Sequence, residues 1–243
     1  MIAVGSVRGA PGATTLALAL GLVSANRVAL VVEADPSGGV LAARRDLGLE
    51  PGLVSLAAVR RDMEASEVLA HSQVVVPGLR VVCGPATPHQ ARAALAMGAE
   101  RLAARLHRLD EDVVIDVGRL DDVEFTAPLL RSARRLLLVV RPDLESLQSL
   151  GSRLDALASA TGVPIDVVTV GEVPYRSSDV SALVGTAHNV YPVPADTRSA
   201  DALNGRRALG RIALQRSALL RAAAHVRRSV LEVNAHVAAG SRQ

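Results

Sequence analysis

The chain has 243 residues and a formal net charge of +3; it is 49% hydrophobic, with one Phe, two Tyr and no Trp. That length supports one large domain, and an Ala/Val/Leu interior suits helices packed closely on a parallel sheet. A lone Cys83 excludes a disulfide framework, six scattered histidines lack HxxxH spacing, and no uncharged apolar run is long enough to span a bilayer.

All 27 basic residues are arginine, so no lysine is available anywhere in the chain. From Asp201 onward eight Arg stand against Asp201 and Glu232, which leaves the first 200 residues net negative. No basic-then-apolar leader precedes the first apolar run, so a cytoplasmic location is expected.

In chain order, Ile2–Ser6 predicts a first strand. It runs into Arg8-Gly9-Ala10-Pro11-Gly12-Ala13-Thr14-Thr15 and then a helix over Thr14–Ala25. Further strands are predicted at Val28–Glu33, Leu79–Cys83, Val113–Val117, Leu136–Val140, Ile165–Val170 and Val190–Val193. Most are continuous apolar runs, as strands covered on both faces require. Helices are predicted at His89–Leu109, Leu144–Ala160 and Leu209–Val237, and a long loop at Gly171–Ser178. The alternation predicts an α/β fold: a doubly wound, mostly parallel sheet flanked by helices, in a single domain over residues 1–243. The last segment, an amphipathic helix over residues 209–238, carries Leu219, Ala223, Val226, Val230, Val233 and Val237 in one apolar seam. Packing on its own sheet is the expected use of that seam, with a helix–helix dimer contact as the alternative.

The strand, the glycines Gly9 and Gly12 and the following helix have the order of a phosphate-binding loop. In such a loop, backbone N–H groups and a helix N-terminus face anionic oxygens. Thr14 stands where a hydroxyl would ligate Mg²⁺, and Asp116 ends an apolar strand, as a carboxylate supporting that ion would. Between them lies Glu33-Ala34-Asp35-Pro36-Ser37-Gly38-Gly39, an acidic strand end followed by a flexible loop.

Together these three stretches resemble the ParA/MinD family of partition and cell-positioning ATPases, over nearly the whole chain. The resemblance implies a P-loop NTPase fold, ATP or ADP with Mg²⁺ as ligand, and a nucleotide-sandwich homodimer. By position it assigns Arg8, Gly9, Gly12, Ala13, Thr14 and Thr15 to the phosphates, Thr14 and Asp116 to Mg²⁺, and Asp35 to the positioning of water. The run Tyr191-Pro192-Val193-Pro194-Ala195-Asp196 looks like the family's late loop and assigns Pro194 and Asp196 to the base; the family's usual Asn near Thr169–Glu172 is not apparent.

The departures fall at the chemistry. Arg8 replaces the cross-subunit lysine, Ala10 a glycine, Ala13 the lysine that bridges the β- and γ-phosphates, and Glu33 the first Asp of D-x-D-P, while Pro11 removes a backbone donor. A loop of this kind is similar to that of the CpaE/TadZ-like branch, which is associated with pilus, secretion or septum-site machinery. The expected function is therefore a pseudo-ATPase acting through protein partners in such a system, for which no cofactor is required. Two alternatives stand beside it: an active ATPase in which Arg8 replaces the lysine, and a weak DNA-binding module using Arg206, Arg207, Arg211 and the arginines that follow.

Overall fold

The computed structural model describes residues 1–9, 12–24, 28–60 and 63–240, excepting the side chains at 65 and 233–240. The expectations for Ala10, Pro11, Ala25, Val233 and Val237 lie outside what is described.

Eight strands form one sheet in the order β3-β4-β2-β5-β1-β6-β7-β8. They are β1 (Ile2–Ser6), β2 (Ala29–Glu33), β3 (Gln73–Val76), β4 (Leu79–Val82), β5 (Asp112–Arg119), β6 (Leu136–Val140), β7 (Ile165–Val170) and β8 (Val190–Val193). Every pairing is parallel except β3 with β4. The expected doubly wound architecture is the observed one.

Alternation within the apolar strands sorts residues onto two faces. Leu30, Val32, Val113, Ile115, Leu136 and Leu138 meet a core shared with α3 (Leu53–Ala58), α5 (Pro88–His107), α6 (Val123–Ser132) and α7 (Leu144–Thr161). Val31, Val114, Leu137 and Val139 meet the opposite core, shared with α1 (Ala13–Leu22) and α11 (Ala218–Gly240). Helix α1 is covered on most sides, with every residue from Leu16 to Gly21 buried, so its uniformly apolar sequence suits a helix sunk between sheet and α11.

The structure differs from expectation at two places. Strand β3 was not anticipated; it returns antiparallel through Pro77-Gly78, with Gly78 at φ 88°. A Pro-Gly pair pre-sets such a turn, so the signal was present in the run QVVVPGLRVV. The long final helix breaks into α10 (Arg211–Gln215) and α11. Ser217 makes the break, its Oγ accepting from the Leu220 N–H at 3.2 Å as a fresh N-cap. The seam residues Leu219, Ala223, Val226 and Val230 are all buried in the molecule's own core. Two further helices matter for the site: α2 (Leu41–Arg45), after β2, and α9 (Thr197–Leu203), after β8.

Candidate nucleotide site

Strand β1 lies between β5 and β6, while the chain leaves it for β2 on the far side of β5. Strand order therefore reverses beside β1, and open α/β sheets bind ligands at the carboxyl ends of strands at that point. The glycine loop occupies this position. Gly12 takes up a left-handed conformation (φ 104°) as the residue before α1, which a Cβ would strain. On the far side, Arg153 of α7 donates to the Val7 carbonyl at 2.9 Å and to the Leu120 carbonyl, fixing the start of the loop against the end of β5.

A cleft of about 440 Å³ opens over the loop, lined by Gly9, Gly12, Ala13, Thr14, Thr15, Asp35 and the arginines Arg44, Arg119 and Arg206. A second hollow of about 290 Å³ shares Gly12, Thr15, Asn204 and Arg206 with it and continues to Pro194, Asp196 and Arg141. Of the anticipated residues, Gly9, Gly12, Ala13, Thr14, Thr15 and Asp35 line the first, and Pro194 and Asp196 the second. Arg8 is exposed and lines neither; its charge acts on Asp143 at the head of α7.

Strand register brings the acids together. Glu33 of β2 and Asp116 of β5 are paired neighbours, and both are buried. Burial pushes the Asp116 carboxyl up to about 7, against hydrogen bonds from Thr14 and the Gly118 N–H and with help from the charges of Glu33 and Asp35. A divalent cation would relieve this crowding of buried acids and would find the Thr14 hydroxyl beside them, so Thr14 and Asp116 fit Mg²⁺. Asp35 is also raised, first by burial; its Oδ1 accepts from the Ser37 N–H at 2.7 Å. Its carboxyl packs on Gly118, where a Cβ would overlap it.

Glu33 serves to join three segments of the chain. Its Oε1 accepts the N–H groups of Val40 (2.7 Å) and Leu41 (3.0 Å), and its Oε2 that of Gly84 (2.9 Å). Burial raises its pKa, although these three donors oppose the rise. The side chain thus ties the N-terminus of α2 and the end of β4 to β2. Asp196 is similarly engaged: it caps α9 through the Ser199 N–H at 3.1 Å and reaches the Leu219 N–H of α11 at 3.4 Å. Burial is the largest single influence on it, yet its donors together hold its carboxyl below the ordinary value. Cys83 is buried and its thiol is pushed up to about 12 by burial, then by Glu33, so it is an inert core residue.

Among the cleft residues that sequence reasoning missed are Arg44, Arg119 and Asn204. Arg44 Nη1 donates to Asn204 Oδ1 at 3.0 Å, and Asn204 Nδ2 donates to Thr15 Oγ1 at 2.8 Å. Arg44 and Asn204 are 160 positions apart, and neither sits in a recognisable motif. Among the described residues no cluster of His, Cys, Asp and Glu forms a metal site of three or more, and no helix is long and apolar enough to cross a membrane.

This sheet order, with a glycine loop after a central strand and a carboxylate in its neighbour, is the fold of the P-loop NTPases of ParA/MinD type. The chain superposes on a ParA family ATPase from Chlorobium tepidum TLS with a TM-score of 0.73 at 17% identity, covering 93% of this chain and 96% of that one. An aspartate-to-alanine variant of Cyanothece McdA in complex with ATP gives 0.68 at 20% identity, covering 95% of each chain. The Pyrococcus furiosus cell division ATPase MinD gives 0.68 at 16% identity, covering 96% of this chain and 98% of that one. No protein-family model and no curated protein sequence matches the chain.

Proposed function

We propose that this chain is a degenerate ParA/MinD-like protein that binds a nucleotide and acts as a positioning or scaffold factor, with ATP hydrolysis weak or absent. The observation that carries the reading is Ala13. The cleft keeps the loop and the Thr14 hydroxyl, with the buried Asp116 carboxyl hydrogen-bonded behind it, but position 13 offers a methyl group, 6% exposed, where the family has its phosphate-bridging lysine.

Phosphoryl transfer depends on cations held against the charge that develops on the transferred group. Loss of one such donor typically costs about 10²–10³ in rate. Backbone N–H groups at the head of α1 remain for binding, so affinity is less affected than turnover. Mg²⁺ held by Thr14 and Asp116 would neutralise phosphate charge; Asp35 stands at the cleft to orient a polar group there.

The CpaE/TadZ-like branch fits the lysine-free loop, and with it a protein partner in a secretion, pilus or division system and a homodimer formed across the nucleotide face. The likeness to an ATP-bound McdA supports the choice of ligand, and the likeness to a cell division ATPase supports the positioning role. Two of the C-terminal arginines have uses within the molecule, which favours this reading over the DNA-binding one. Arg227 is buried against Asp112, and Arg206 lines the nucleotide cleft.

Calorimetry with ATP and ADP on nucleotide-stripped protein, with steady-state hydrolysis beside it, tests the reading. Expected are saturable binding and a turnover no greater than that of Asp35→Ala. Robust turnover that disappears in Asp35→Ala would mean an active ATPase instead.

A further inference from the structure

We infer that Arg44, oriented by Asn204, is the cation that receives the pyrophosphate unit of the ligand in place of the missing lysine. The inference deepens the nucleotide-binding reading above and rests on it.

Three arginines line the phosphate cleft, and their surroundings differ. Arg119 is paired with Asp121 at 2.5 Å, and Arg206 with Asp201 at 3.5 Å. Arg44 has no carboxylate partner among the described residues; its guanidinium bonds the neutral Asn204. A half-buried guanidinium with no acid beside it, facing a cleft built from backbone N–H groups, leaves its charge to be balanced by an anion.

Its position is built, not incidental. Glu33 holds the N–H groups of Val40 and Leu41, so the first turn of α2 is fixed and Arg44 follows from it. The next residue, Arg45, donates to the carbonyls of Ala202 (3.0 Å) and Leu203 (3.4 Å), which binds α2 to the end of α9. Gly205, at φ 74°, lies so close to the Arg44 carbonyl that a Cβ there would overlap it. Helix α2 is therefore clamped between β2 and α9.

Asn204 sets the direction of the guanidinium. It is 4% exposed, and its Nδ2 donates to the Ala200 carbonyl at 2.8 Å. A carbonyl can only accept, so the amide orientation is determined and Oδ1 must face Arg44, which can only donate. The same Nδ2 donates to Thr15 Oγ1, leaving the Thr15 hydroxyl proton available to the cleft. Arg44, Asn204 and Thr15 thus form one connected network beside the loop, where the phosphate and base compartments join. A guanidinium there offers the paired N–H groups that suit phosphate oxygens, on one subunit and without help from a partner.

The test is calorimetric titration of stripped protein with MgADP and, separately, with magnesium pyrophosphate. The proteins compared are the native chain, Arg44→Gln, Arg44→Lys and Arg228→Gln, with ligand-free melting temperatures as the folding control. Expected is a loss of roughly 10- to 100-fold in affinity for both ligands in Arg44→Gln. Arg44→Lys should recover part of it, as charge without the fork, and Arg228→Gln, exposed and away from the cleft, should stay within about threefold. Native binding that survives unchanged in a folded Arg44→Gln overturns the inference and leaves the nucleotide reading standing. Pyrophosphate binding that depends on Arg44 without any ADP binding supports Arg44 and overturns the nucleotide reading. No binding of either ligand by the native protein overturns both. Should Arg44→Gln fail to fold, Arg44→Lys decides: unaltered affinity for both ligands would reject a role for the fork.

Discussion

At the residue scale, Glu33 shows how a one-methylene change can redirect a site. An aspartate at the end of β2 would keep its carboxyl near the strand, whereas Glu33 reaches three N–H groups on two other segments. Gly39 and Gly84 make room for it, since a Cβ on Gly39 would overlap the Glu33 carboxyl and one on Gly84 would crowd its backbone. Glu33→Asp should therefore destabilise the ligand-free protein, by about 1–3 kcal/mol, because buried N–H groups lose their acceptor. Urea denaturation measures this. A stability equal to or above that of the native chain would show that the three bonds contribute nothing net.

The elements behave as their end chemistry dictates. Helices α5 and α7 start where Thr87 and Asp143 supply caps, to the Gln90 N–H at 3.4 Å and the Ser146 N–H at 2.8 Å. The division of α10 from α11 follows the same rule at Ser217, which apolar periodicity alone passes over. Helix α11 is then held by more than its seam: Arg227, with its side chain 7% exposed, pairs with Asp112 at 2.5 Å. Removing Arg227 takes from Asp112 its buried charge partner, while the Ser24 hydroxyl still donates to it. Asp112 is partly exposed, so Arg227→Ala should lower stability by about 2–3 kcal/mol, below the cost for a fully buried pair. The melting temperature should fall accordingly, while exposed Arg228→Ala, one residue on, should leave it nearly unchanged. Equal effects of the two substitutions would remove Arg227 from the structural account.

For the whole molecule, the site's acids impose a pH dependence opposite to the familiar one. Asp116 is raised to about 7 in the folded chain, and Glu33 and Asp35 are raised as well, each by burial first. In the unfolded chain such groups titrate near 4, so from about pH 4 to 7 the folded state binds the extra protons. Stability contributed by these groups is then greatest at the acid end, falls as pH rises through the window, and levels off above about 7. Ligand-free protein should be more stable to urea at pH 5.5 than at pH 8, by an amount on the order of 1–3 kcal/mol, and Asp116→Asn should flatten the slope. A native slope of the opposite sign, or one unaltered in Asp116→Asn, would contradict the assignment.

Local patterns in the sequence determined much of this protein. Apolar runs of strand length, glycines after the first of them and an acid ending another are local chemistry, and they were enough for the doubly wound sheet, the loop and the acids Asp35 and Asp116. Ala13 was equally legible, because an absent lysine is a fact of sequence. Tertiary structure alone decided the rest, since it depended on partners far apart in the chain. Register set Glu33 beside Asp116, and the closing of α2 against α9 brought Arg44 to Asn204 and Asn204 to Thr15. The cleft's charge is therefore a property of packing: Arg8 and Arg44 are the same residue type in sequence, and only the fold turns one to the surface and the other to the cleft over the glycine loop.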